Sequence, residues 1–136
     1  MGHWLKLVGA ADWPVGEYWV MERSDLLREI RFGERHPPTP IRRGDHLVYH
    51  AVVDRRLIGV VEVCSDEARY DTSVEWERAW PLVLDVSVVL KVGRVSQGPS
   101  TSELDLSDAF AHQSFLPLTP AQYEHAVRLL RAAGAR

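Results

Sequence analysis

The run from Pro81 to Val92 limits the architecture of this chain more than any other feature. It is the longest strand-like segment in the 136 residues and carries Val83, Val86, Val88, Val89 and Val92. β-branched side chains are crowded in a helix and fit a pleated, half-buried surface. A strand well beyond the usual five or six residues cannot stay flat, because strands twist, and its length predicts a curved barrel strand.

Other segments supply partners for it. Leu47, Tyr49 and Ala51 alternate with Val48, His50 and Val52, Asp54-Arg55-Arg56 turns the chain, and Leu57 to Val63 is an apolar run containing Gly59. That pattern predicts a β-hairpin. His3 to Val8, stopped by Gly9, reads as a first strand in a central position. Ser114-Phe115-Leu116-Pro117-Leu118 is a brief strand whose proline lacks an N–H, so an edge is expected.

Helical signals are fewer. Ser24 as N-cap, Leu26, Leu27, Ile30 and Phe32 at near-helical spacing, and Gly33 as a stop predict a short amphipathic helix. Thr119, Pro120 and Gln122 form a capping box, followed by Tyr123, Ala126, Val127 and Leu130 on one face and Gly134 beyond it. The proline-rich stretch 36–40 is an extended loop leading to Arg42-Arg43-Gly44-Asp45, and 93–108 has loop composition. About five strands and three helices without a strand–helix rhythm predict an α+β domain over residues 1–136, with a mostly antiparallel, barrel-like sheet.

Composition narrows the function. No stretch is long and apolar enough to span a membrane, and the N-terminus does not read as a signal peptide. With a single cysteine, Cys64, the cytosol is the expected compartment. The net charge of −3 argues against coating of nucleic acid by a uniformly basic surface. Residues 23–56 nevertheless hold eight arginines against five acids, which leaves one locally basic region.

Catalytic and metal patterns are missing from the sequence: no Gly-rich phosphate loop, no metal-spaced Cys/His set and no nucleophile elbow. Cys64 ends an apolar strand and is expected to be a buried, inert thiol. His46 and His50 lack a third ligand, and Glu75 and Glu77 read as solvated carboxylates. Tryptophan stands out instead, with Trp4, Trp13, Trp19, Trp76 and Trp80, three of them in loop-like segments. They either cap the ends of a small barrel or form a platform on which a base stacks, a contact worth roughly 1–3 kcal/mol.

The order HWLKL, YWVMERS, RRGDHLVYHAV, RLIGVVEV, WPLVLDV and HQSFLPLTPAQYEHAVRLL resembles the EVE domain family, within the PUA-like superfamily that also holds YTH and ASCH domains. The likeness spans nearly the whole chain and implies a small β-barrel flanked by helices. It implies a non-catalytic reader that holds a modified base of DNA or RNA in an aromatic cage, without a cofactor or metal. Trp19 matches the cage tryptophan and Trp76 or Trp80 a second wall. Tyr49, His50, Gln113 and Ser114 match base-edge positions, and Arg23, Arg28, Arg42 and Arg43 would hold flanking phosphates. After Trp19, Val20-Met21-Glu22-Arg23-Ser24 replaces the family's Gly-Val-Arg-Asn-like segment, which leaves the identity of the base open. An effector protein is a further candidate partner. Two other readings stand beside this one: an ASCH-like hydrolase of modified nucleosides using Lys6 or Lys91, and a protein-interaction module presenting Trp13, Trp76 and Trp80.

Overall fold

A computed structural model describes residues 2–9, 16–18, 27–32, 41–71, 80–106 and 115–136. Among these residues seven strands are formed: β1 (His3–Val8), β2 (Glu29–Phe32), β3 (His46–Ala51), β4 (Arg56–Val63), β5 (Arg69–Tyr70), β6 (Leu82–Lys91) and β7 (Phe115–Leu118). The helix α1 covers Pro120–Ala132, and two 3-10 turns occupy Val95–Gln97 and Thr101–Glu103.

The strands lie in the order β2-β6-β4-β3-β1-β7, with β5 also paired to β6. Every described pairing is antiparallel except β1 with β3. The long valine-rich segment does what its length requires. The first half of β6 pairs with β2 and β5, and the second half pairs with β4. The register shifts between Val60 and Val61 opposite Val88 and Leu90, and again at Tyr49/His50 in the hairpin. Such bulges bend a strand and strengthen its twist.

Curling brings the two ends of the strand order together. Phe32 on β2 stacks on Phe115 on β7 with ring centroids 5.0 Å apart, which closes the sheet into a half-barrel. Pro117 occupies the expected edge strand and β1 the expected interior position.

Helix α1 covers the opposite face. Its start follows the capping box: the Thr119 hydroxyl accepts from the Gln122 amide at 3.1 Å, and the Gln122 side chain accepts from the Thr119 amide at 2.9 Å. Ala126 and Leu130 are fully buried against the sheet. Gly134, at φ 92°, turns the chain so that Arg136 exchanges two backbone hydrogen bonds with Lys91, each 3.0 Å.

Two expectations are corrected. The helix predicted from Ser24 to Gly33 is not formed at its second half, where Glu29–Phe32 is a strand. Ile30 and Phe32 sit two residues apart, so strand alternation buries both against Leu84 and Leu82, whereas a helix would have left β6 without a partner on that edge. The proposed cap Ser24 lies outside the described residues. Cys64 is exposed, because β4 ends at Val63, and its thiol lies 3.4 Å from the Ser87 hydroxyl.

Candidate functional site

Strand alternation gives the half-barrel two chemically different faces. On β1, His3 points toward α1, where its ring stacks on Tyr123 at 4.3 Å. The neighbouring positions Trp4 and Lys6 therefore belong to the inner face. In register, Lys6 is aligned with Tyr49 on β3 and Phe115 on β7. Phe115 continues through its stack to Phe32, which is paired with Leu82, itself paired with Tyr70 of β5. An aromatic row thus crosses the seam of the sheet and ends at Tyr70, which is 65% exposed. Trp80, two residues before Leu82, is 52% exposed.

Lys6 is the polar exception in this row. Its Nζ donates to the Leu7 carbonyl at 2.9 Å and sits 4.8 Å from the centre of the Phe115 ring. Burial lowers its pKa to about 8, with no charged neighbour contributing.

The start of the inner face is tied down by Asp45. Its carboxylate accepts from the Gly2 amide at 2.7 Å, the Arg42 amide at 3.0 Å and the Trp4 indole at 3.1 Å. Burial opposes its ionisation, but these donors more than offset that and hold its pKa below the usual carboxylate value. The Gly44-Asp45 turn noted in the sequence is thus the clamp that aligns β1 with β3.

The residues singled out from the sequence fall in three groups. Tyr49 is 1% exposed on the inner-face register, and His50 is 2% exposed with its Nδ1 2.6 Å from the Thr101 hydroxyl. Burial, and secondarily the charge of Arg55, lowers the His50 pKa to about 4, so the imidazole is neutral. Trp80, Arg28, Arg42 and Arg43 are exposed, and Arg43 pairs with Asp66 at 3.1 Å. Trp19, Trp76, Gln113, Ser114 and Arg23 lie outside the described residues.

Phe32, Phe115 and Tyr70 had no place in the sequence-based site. Phe32 reads as part of a helix, and only the closing of the sheet brings it onto Phe115. Lys6 left one local signal, a lone charge inside the apolar run HWLKLV. On the other face, His3, His46 and Tyr123 form a stack in which both histidine Nδ1 atoms are buried without a hydrogen-bond partner among the described residues.

No family model and no curated protein matches the chain. Solved structures do. The Mmi1 YTH domain in complex with RNA is similar with a TM-score of 0.66 at 8% identity, covering 97% of this chain and 79% of that one. A hypothetical protein from Leishmania major gives 0.59 at 13%, covering 98% and 97%. A protein from Agrobacterium tumefaciens gives 0.56 at 17%, covering 98% and 94%. At such identities the likeness establishes the fold alone, a small α+β barrel like that of the YTH domain.

Proposed function

We propose that this chain is a non-catalytic nucleic-acid-binding domain that takes a modified base of DNA or RNA against the aromatic inner side of its half-barrel. The observation that carries this reading is the likeness, over almost the whole chain, to a YTH domain solved with RNA bound. Two features of the described surface support it. Tyr70 and Trp80 leave large aromatic surfaces in solvent beside the seam, where a flat base gains most by stacking. Arg28 and Arg42 are exposed cations suited to phosphate contacts.

In this reading Trp19 and Trp76 or Trp80 sandwich the base and Gln113 and Ser114 meet its edge, while Tyr49 and His50, 1% and 2% exposed, back the site from within the core. Hydrolysis has less support. The Thr101 hydroxyl and His50 imidazole have a nucleophile–base geometry, but at 3% and 2% exposure no substrate reaches them.

Tryptophan fluorescence, titrated with short oligonucleotides that each carry one methylated, hydroxymethylated, thiolated or unmodified base, tests the reading in wild type and Trp19→Ala. Selective quenching by one modified base, lost in Trp19→Ala, is expected. Absence of binding to every oligonucleotide, combined with concentration-dependent mass in solution, would replace it with the interaction module.

A further inference from the structure

Lys6 is a charge whose surroundings do not account for it. Several arginines among the described residues are matched by carboxylates: Arg31 by Glu29 and Asp71, Arg69 by Glu29, Asp71 and Asp85, Arg43 by Asp66. Lys6 has no carboxylate partner among the described residues. An ammonium carries three N–H donors, and the Leu7 carbonyl takes one of them. The face of Phe115 attracts the cation but accepts no full hydrogen bond from it. Withdrawing a charge from water without a partner is costly, and a methionine would fill the same space without that cost. Nothing in the packing of β1 on β3 and β7 requires the charge.

We infer that Lys6 selects the ligand: its two unspent N–H groups donate to a base edge presenting an acceptor oxygen, so the site takes oxo bases in preference to their amino counterparts. This rests on the nucleic-acid-binding reading above and gives it a chemical class. The neighbourhood favours a base over a free phosphate. Phe115 lies beside the ammonium and Phe32 stacks on Phe115, apolar ring surface that suits a flat heterocycle and would desolvate a phosphate oxygen for nothing in return. The discrimination follows from donor count. Ammonium cannot accept, so an exocyclic amino group placed where an oxygen belongs leaves two donors facing each other. Oxo edges such as O6 with N7 of a guanine-type base offer acceptors to lysine, as they do in groove recognition.

The chain has two lysines, Lys6 and Lys91, so lysine labelled with 13C at Cε gives two signals, with Lys91 as internal reference. Single-stranded pentanucleotides with central inosine or adenosine, and with central uridine or cytidine, are titrated into wild type, Lys6→Met and Lys6→Arg. Binding is read by fluorescence and the lysine signals by NMR. Oxo members of each pair are expected to bind roughly tenfold more tightly than amino members and to shift the Lys6 signal alone. Lys6→Met should bind both members equally, and Lys6→Arg should keep part of the preference. Binding that ignores the oxo/amino exchange, or an oxo preference that survives in Lys6→Met, overturns the inference and leaves the nucleic-acid reading standing. No binding by any pentanucleotide together with an unmoved Lys6 signal overturns the inference, and the titration with methylated, hydroxymethylated and thiolated bases decides the nucleic-acid reading separately.

Discussion

His50 and Lys6 show how burial of a single titratable side chain makes this protein sensitive to pH. His50 is held neutral with a pKa of about 4 against 6.5 for a free imidazole. Between those values the unfolded chain takes up a proton that the native state refuses, so stability falls as pH drops from about 6.5 to 4 and levels off below. The difference corresponds to a loss on the order of 3 kcal/mol. Urea unfolding at a series of pH values should show this slope in wild type and a flatter one in His50→Gln. Thr101→Val removes the 2.6 Å partner of His50 Nδ1 and should cost about 1–3 kcal/mol in the same assay at pH 7. Lys6 runs the other way in charge and the same way in sign. Its pKa of about 8 lies below the free value of 10.5, so the native state gains stability as pH rises from 8 to 10.5. Lys6→Met should be more stable than wild type at pH 7 and lack that alkaline gain, with thermal unfolding as the readout.

Among the elements, α1 owes its start to local chemistry and its position to packing. Thr119→Ala removes the acceptor of the Gln122 amide and should lower stability by about 1 kcal/mol, read by chemical denaturation. Strand β4 depends on a missing side chain. A Cβ at Gly59 would lie 2.9 Å from the Leu90 carbonyl oxygen, where β6 crosses close beside the bulge. Gly59→Ala should therefore cost about 1–3 kcal/mol, because the obstacle is backbone and cannot rotate away. The capping box and the hairpin were legible in the sequence because their signals are local: a hydroxyl, a proline and an amide within four residues, or alternation on either side of a turn. β2 was not, because Ile30 and Phe32 fit either a short helix or a strand. The pairing with Leu84 and Leu82 that decides between them comes from fifty or more residues away.

At the scale of the whole molecule, the half-barrel is held shut where strands that are distant in sequence meet. Phe32 and Phe115 come from the two ends of the strand order, and their stack is the described ring contact that joins them. A double-mutant cycle of Phe32→Leu and Phe115→Leu should give a coupling of about 0.5–1.5 kcal/mol, measured by denaturant unfolding. A coupling near zero would mean that the seam is closed by other groups. The candidate site shares this dependence on closure. Lys6, Tyr49 and Phe115 share one register line across three strands, and Phe32 and Tyr70 extend it only because the sheet curls.

The sequence by itself determined the class of fold, the curved valine-rich strand, the hairpin and the capped C-terminal helix, since each follows from side-chain shape and periodicity within a few residues. Tertiary structure alone decided that Glu29–Phe32 is a strand, that Cys64 is exposed, and that Tyr49 and His50 are sunk in the core. It also decided that a lone lysine stands among aromatic rings on the inner face. These outcomes depend on which distant strand supplies hydrogen bonds and which face the sheet curls toward. Local sequence leaves such choices nearly balanced, and long-range burial resolves them.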